Sequence, residues 1–516
     1  MNITVTKKYL IFPVNISADM RRACMNINGE TVYALNLAID NENPKFNAYI
    51  DVSRFMGNEL SISVSPETEL SVRESDTMDI EGLYSEELRP QAHFSTKNGW
   101  NNDPNGLVYL DGTYHMFYQH NPGSPKWENM HWGHAESKDL IHWEEKDMAL
   151  YPDNTGTMFS GSAIVDNKNT LGLQTGELPT GVLFYTSTAP FCQRMAYSTD
   201  GFKTIKKYEN NPVIEHIVDA NRDPSVVYCQ ELGKYVIALY LEKDIYALFT
   251  SDDLVSWTEI QRIKMEGDNE CPDLFCINTP DGERKWVLIG AHDRYLVGDF
   301  KNGQFVSVQD IRSLHFGNSA YAGQSFSDLP NGRAVRVDWL RWFDLSADRF
   351  SQQMSIPLEM SLNKIDGIYH LSVLPVKEIE AIFDKTQKYE NLSLKAGEKT
   401  SFALEDSAYI FKIHAKALKD NKLSVSFFGK TVECDLKENS IKLDDHKGPL
   451  SYTGEALDVT VVVDRCTVEL FSDDGRIYIT ECTVADRNMC EFSLTAENDC
   501  IIENIDLTSL ESIWNK

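Results

Sequence analysis

Ser137-Lys138-Asp139-Leu140-Ile141-His142-Trp143 returns as Ser251-Asp252-Asp253-Leu254-Val255-Ser256-Trp257, and more loosely as Ser198-Thr199-Asp200-Gly201-Phe202. Each copy follows hydrophobic strand-like runs, at 115–118, 235–240 and 182–186 respectively. The copies are offset by roughly 55–60 residues, which suits one four-stranded propeller blade with its loops. Two further blades can be placed on 286–290 with 295–300, and on 321–326 with 334–340. Five blades fit this spacing, and the spacing alone also admits six.

On either side the pattern changes. Residues 1–88 read as short alternating runs with turn signals at Asn28-Gly29 and Asn43-Pro44, an accessory β-domain that ends in the acidic stretch 74–87 before Arg89-Pro90. Residues 89–375 hold the repeats. Residues 376–516 return to short alternating strands, with turns at Asp420-Asn421 and Asp473-Asp474-Gly475 and a β-branched run at 459–463, and read as a β-sandwich. The expected fold is therefore all-β: a five-bladed β-propeller followed by a C-terminal β-sandwich and preceded by a small N-terminal β-domain.

Composition narrows the function. A chain of 516 residues with 42% hydrophobic residues has enough apolar material for large cores. The net charge of −29 argues against nucleic acid and against anionic membranes as partners, and leaves a small neutral substrate compatible. No run approaches the roughly 18–20 apolar residues of a membrane span. The N-terminal apolar run 9–12 is shorter than the about 7–15 residues of a signal-peptide core, so a cytoplasmic location is expected, and a secreted one if a leader has been trimmed. The ten cysteines form no Cys-x-x-Cys pair and read as reduced thiols. No cofactor loop is present. His120, His131, His134 and His142 lie near one another, but in strand-like sequence, and no metal is expected. The oligomeric state is not encoded in any motif.

Chemistry concentrates in 99–106, Gly-Trp-Asn-Asn-Asp-Pro-Asn-Gly. Gly, Asn and Pro exclude a helix there, and the run reads as a rigid turn before a hairpin around Asp111-Gly112. Asp103-Pro104 has two counterparts, Arg222-Asp223-Pro224 and Glu270-Cys271-Pro272, each at the start of a repeat unit. First strands of successive blades line a propeller's channel, so these acids can converge. Glycoside cleavage needs one protonated and one ionised carboxyl group. Glu270, with Leu274-Phe275 close by, suits the acid/base; Asp103, among amide donors, suits the nucleophile. Asp223, beside Arg222, should stay ionised and hold sugar hydroxyls.

These residues, with Phe159-Ser160-Gly161-Ser162-Ala163 and Tyr321-Ala322-Gly323-Gln324-Ser325-Phe326, resemble the ordered motif set of glycoside hydrolase family 32, the invertase, fructanase and levanase family. The resemblance spans 91–516, and the N-terminal region is similar to an extra β-domain of some bacterial fructan-degrading members. It implies a retaining mechanism through a covalent fructosyl–enzyme, with Asp103 as nucleophile, Asp223 as transition-state stabiliser and Glu270 as acid/base. It also implies a fructose pocket lined by Asn102, Gln119, Trp127, Phe159, Ser160 and Arg222, with Trp339 as a wall. Asn269 and Gly323 depart from the family pattern near where a leaving group would sit. The expected activity is release of fructose from the non-reducing end of β-fructofuranosides: short fructo-oligosaccharides of inulin or levan type, or sucrose. Fructosyl transfer on the same fold, and non-catalytic fructan binding, are the alternatives.

Overall fold

In the computed structural model the recurring Ser–Asp segment is a turn joining the third and fourth strands of successive sheets. Asp139 Oδ1 accepts the N–H groups of Ile141 and His142 at 3.0 and 2.8 Å and the Ser137 hydroxyl at 3.0 Å. Asp253 does the same for Val255, Ser256 and Ser251 at 2.9, 2.6 and 2.9 Å. Leu140, Leu254 and Phe202 take left-handed backbone, with φ of 68°, 67° and 60°. That conformation is unusual for bulky residues, and here it sends all three side chains into the interior. The indole N–H groups of Trp143 and Trp257 then donate to the carbonyls of Leu140 and Leu254.

The structure describes residues 1–514 except 344, 346, 348, 417–419 and 451–455. Strands carry 55% of the chain and helices 3%, so the fold is all-β as expected. Five antiparallel sheets follow one another among the described residues, opening on the strands Gly99–Leu110, Met158–Asp166, Arg222–Cys229, Asp273–Asn278 and Ala320–Ser325. Each opening strand neighbours the next, and the fifth neighbours the first, so they surround one channel. The short strand Phe350–Ser351 returns to pair in parallel with Gly99 and Trp100. It stitches the end of the ring to the first sheet.

The stretch 99–106 is not the isolated turn expected from its composition. It begins the long strand Gly99–Leu110, whose register against Thr113–Asn121 breaks between Asn101 and Pro104 and again between Asn105 and Val108. Proline has no N–H for a ladder, and a bulge is where a strand tolerates it.

Before the ring, Asn2–Thr4, Glu59–Ser65, Arg21–Ile27 and Glu30–Leu37 form one sheet, and Phe46–Asp51, Tyr9–Val14 and Arg73–Ser75 another. Their inward residues, among them Leu10, Phe12, Met25, Leu35, Ile50 and Ile62, share a core. After the ring come two six-stranded sheets with a core of their own. A buried ionic cluster joins this last unit to the ring. His93 Nδ1 lies 2.9 Å from Asp464 and its Nε2 3.2 Å from Glu469, all three side chains fully enclosed. Burial alone would lower the His93 pKa, but hydrogen bonds to Asp464 and Glu469 push it up to about 9. Burial opposes ionisation of Asp464, yet His93 and the N–H groups of Ala92 and Gln91 bring it down to about 2.

Candidate active site

The channel-facing ends of the inner strands share one device. Register breaks fall between Asn101 and Pro104, Phe159 and Gly161, Arg222 and Ser225, and Tyr321 and Gln324. A bulge frees a residue from the ladder and re-aims its side chain. The residues so released include Asn102, Asp103, Ser160, Asp223, Ala322 and Gly323. The fourth strand has no break, and Glu270 and Cys271 precede it with φ of 60° and 35°. Asp223 and Ala322 are also left-handed, at 64° and 53°. Each such residue costs about 1–3 kcal/mol, held in place by its surroundings.

Three carboxylates meet there. Asp103 accepts the Ser160 hydroxyl at 2.5 Å and the Asn102 amide, whose orientation is set by the Trp100 indole N–H on Asn102 Oδ1 at 2.8 Å. Asp223 accepts the Cys271 N–H at 3.1 Å, and its own N–H is anchored on the Thr186 hydroxyl at 3.0 Å. The Cys271 sulfur lies between them, 3.6 Å from Asp103 and 3.5 Å from Asp223. Glu270 receives Arg222 on one oxygen at 2.5 Å and the Tyr321 hydroxyl on the other at 2.7 Å.

Electrostatics differ from the sequence expectation at two of the three. Burial raises Asp103 above the usual carboxylate range; Ser160 and Asn102 oppose this, and the Glu270 charge adds to it. Asp223 was expected to stay ionised beside Arg222. Instead burial pushes it up to about 7, because the guanidinium gives its short contact to Glu270 and stands 3.6 Å from Asp223, while Asp103 and Glu270 add repulsion. Glu270 was expected among apolar neighbours. Its carboxylate is instead held by an arginine and a tyrosine and is about a third exposed (33%), while Leu274 turns into the core behind it.

Of the residues expected to line the pocket, Asn102, Ser160 and Arg222 touch the carboxylates directly. Gln119 is buried with its amide nitrogen on the Met158 carbonyl at 2.9 Å. Trp127 stands edge-on to Phe159 at 6.0 Å and is 53% exposed, at the lip. Trp339 packs edge-on to both Trp100 and Tyr321, with its N–H on Gln352. Asn269 lies beside the Tyr321 hydroxyl at 3.4 Å. Gly323 does not face the leaving-group side: a Cβ there would overlap the buried Arg336 guanidinium and Asp338 carboxylate. Tyr321, Cys271 and Trp100 stood in the quoted motifs without an assigned role; their contacts cross between sheets and become visible only in three dimensions. The four histidines do not converge. His131 meets Tyr33, His120 the Trp100 carbonyl and His142 its own Asp139, while His134 pairs with His115 beside Glu136.

Comparison with known proteins agrees with this geometry. The family model described as "Glycosyl hydrolases family 32 N-terminal domain" matches residues 93–372, and "Glycosyl hydrolases family 32 C terminal" matches 378–509. A levanase of Bacillus subtilis is 32% identical over 486 residues, covering 84% of this chain and 72% of that protein. An extracellular exo-inulinase of Aspergillus awamori is 30% identical over 490 residues, covering 77% of this chain and 89% of that one. A crystal structure of exo-inulinase from the same organism superposes with a TM-score of 0.75 at 26% identity, over 84% of this chain and all of that one. With its ring of sheets, its appended sandwich and its carboxylates at the channel mouth, the chain belongs to glycoside hydrolase family 32.

Proposed function

We propose that this hydrolase releases fructose from the non-reducing end of β-fructofuranosides, short fructans of inulin or levan type and sucrose among them, through a covalent fructosyl–enzyme. Within this reading residues 89–375 are the catalytic propeller, 376–516 the sandwich and 1–88 an appended unit. The observation that carries it is the meeting of Asp103, Asp223 and Glu270, from the first, third and fourth sheets, around one thiol and one guanidinium. The levanase and exo-inulinase relatives support the fructan class.

The chemistry follows from the positions. Glu270, the most open of the three acids, gives its proton to the glycosidic oxygen as that bond breaks. Asp103, deep in the site and steered by Ser160 and Asn102, forms an ester with the anomeric carbon, and the leaving sugar departs with the proton. Water then enters. Glu270 takes its proton, the oxygen adds to the anomeric carbon, and the ester opens to restore Asp103. Asp223, pushed up to about 7 by burial, binds the fructose hydroxyls.

Incubation with sucrose, kestose, inulobiose, inulin and levan should yield free fructose, with proton NMR showing the β-anomer before mutarotation. Early α-fructose would refute retention. Failure to release fructose from all five would refute the activity, and lengthened oligosaccharides in place of fructose would assign transfer.

A further inference from the structure

Both family models begin after residue 92, so the N-terminal β-unit lies outside them. Its strand Glu30–Leu37 is the edge of a sheet, and an unpaired edge needs cover. The cover is the loop between Thr113–Asn121 and His131–Ser137, the loop that carries Trp127. The Asn36 N–H donates to Asn129 Oδ1 at 2.8 Å, and Asn129 Nδ2 donates back to the Asn36 carbonyl at 2.9 Å, so a side-chain amide stands in for the missing strand. Asn36 Nδ2 donates to Glu128 at 3.0 Å, and Lys126 Nζ to the Ile16 carbonyl at 3.2 Å. Leu37 packs against Gly123, where a Cβ would displace its methyl group. Behind the loop, His131 Nδ1 donates to the Asn129 carbonyl, which leaves Nε2 to accept from the Tyr33 hydroxyl at 2.5 Å. The N-terminal unit thus grips the residues on both sides of Trp127 and leaves the indole itself open at the channel lip, beside Phe159 and one residue from Ser160.

We propose that the N-terminal unit is a specificity element of the active site. By clamping Lys126, Glu128 and Asn129 it fixes the Trp127 indole, the pocket wall at the lip, where the terminal fructose of a fructo-oligosaccharide joins the sugar that follows it. Asn129 and Asn36 are positioning residues, and Trp127 is the group that meets the sugar. This rests on the hydrolase reading above. A rigid aromatic wall binds a sugar face at low entropic cost, and a wall on a freed loop must be ordered with each substrate.

The test is a double-mutant cycle between Asn129→Gly and Trp127→Ala. Glycine keeps the φ of +48° at position 129 and removes only the amide. With a fructan-type tetrasaccharide, Asn129→Gly should raise KM about 3–10-fold with kcat within about two-fold. With methyl β-fructofuranoside, which has no second sugar, KM should rise less, because the indole then meets only the fructose. Adding Asn129→Gly to Trp127→Ala should change KM no further. Equal effects on both substrates, or full additivity with Trp127→Ala, overturns the proposal. If Asn129→Gly does not fold, Glu128→Ala, which loses only the Asn36 amide bond, should move tetrasaccharide KM in the same direction, and an unchanged KM overturns the proposal. Wild-type protein inert on both substrates would instead sink the hydrolase reading itself.

Discussion

Replacing His93 with glutamine perturbs the joint between ring and sandwich at one atom group, and its size can be worked from the structure. His93 titrates at about 9 in the fold against an ordinary value of 6.5. At about 1.4 kcal/mol per unit, the charged ring contributes on the order of 3 kcal/mol. The depressed Asp464 describes the same contact from its other end, so the two are not added. A raised histidine stabilises fully below its unfolded value and loses that contribution as pH rises through the folded one. The loss should therefore appear between about pH 7 and pH 10. Glutamine offers one donor group to two buried carboxylates, and breaking a buried pair costs about 3–5 kcal/mol. Thermal unfolding followed by calorimetry should place His93→Gln several degrees below wild type at about pH 7, at roughly 2–4 °C per kcal/mol. The gap should narrow at about pH 10, where wild type has lost its own cation. Other groups titrate in both proteins, so the difference isolates His93. A gap as wide at high pH as at neutral pH would refute a charged His93.

Three further outcomes follow from the site. Asp103→Asn and Glu270→Gln should fold with unchanged melting temperature and lose at least about 10²–10⁴-fold in kcat on sucrose or kestose; retention of substantial activity by either removes its assigned role. Tyr321→Phe deletes the hydroxyl on Glu270 but keeps the ring against Trp339 and His292, so kcat should fall about ten-fold with KM nearly constant, and a pure KM effect would contradict the contact. Gly323→Ser drives a side chain into Arg336 and Asp338, and denaturant titration should show about 1–3 kcal/mol of lost stability. Unchanged stability would mean that the cluster has room to give.

What could be read from the sequence was what is wired locally. The Ser–Asp–Leu–Trp turn makes its own hydrogen bonds within seven residues, so its copies announced the repeat. The proline-held acids marked the strand starts because backbone restriction is a property of neighbours in sequence. Ionisation was not legible. Arg222 is adjacent to Asp223 in the chain, and only the fold of 268–272 onto the third sheet shows that its short bond goes to Glu270. The stretch 99–106 misled for a related reason: its residues favour turns, and a bulged strand needs the same freedoms. Gly323 was placed near the leaving group because the Arg336 and Asp338 that occupy its side-chain space arrive from the next strand. The clamp on Trp127 was invisible, since it joins Asn36 to Asn129 through an unremarkable amide pair.

The short pairing of Phe350–Ser351 with Gly99–Trp100 also sets an order of events. All three acids have left the ribosome long before residue 350 does, yet the strand bearing Asp103 still lacks one of its two neighbours. Synthesis at about 5–20 residues per second leaves a window of many seconds in which the nascent ring is open. A chain stopped before that segment would contain all three acids and lack this tie on the strand that bears Asp103. A segment that carries none of the acids, and is made after all of them, therefore has to arrive before the first sheet is complete.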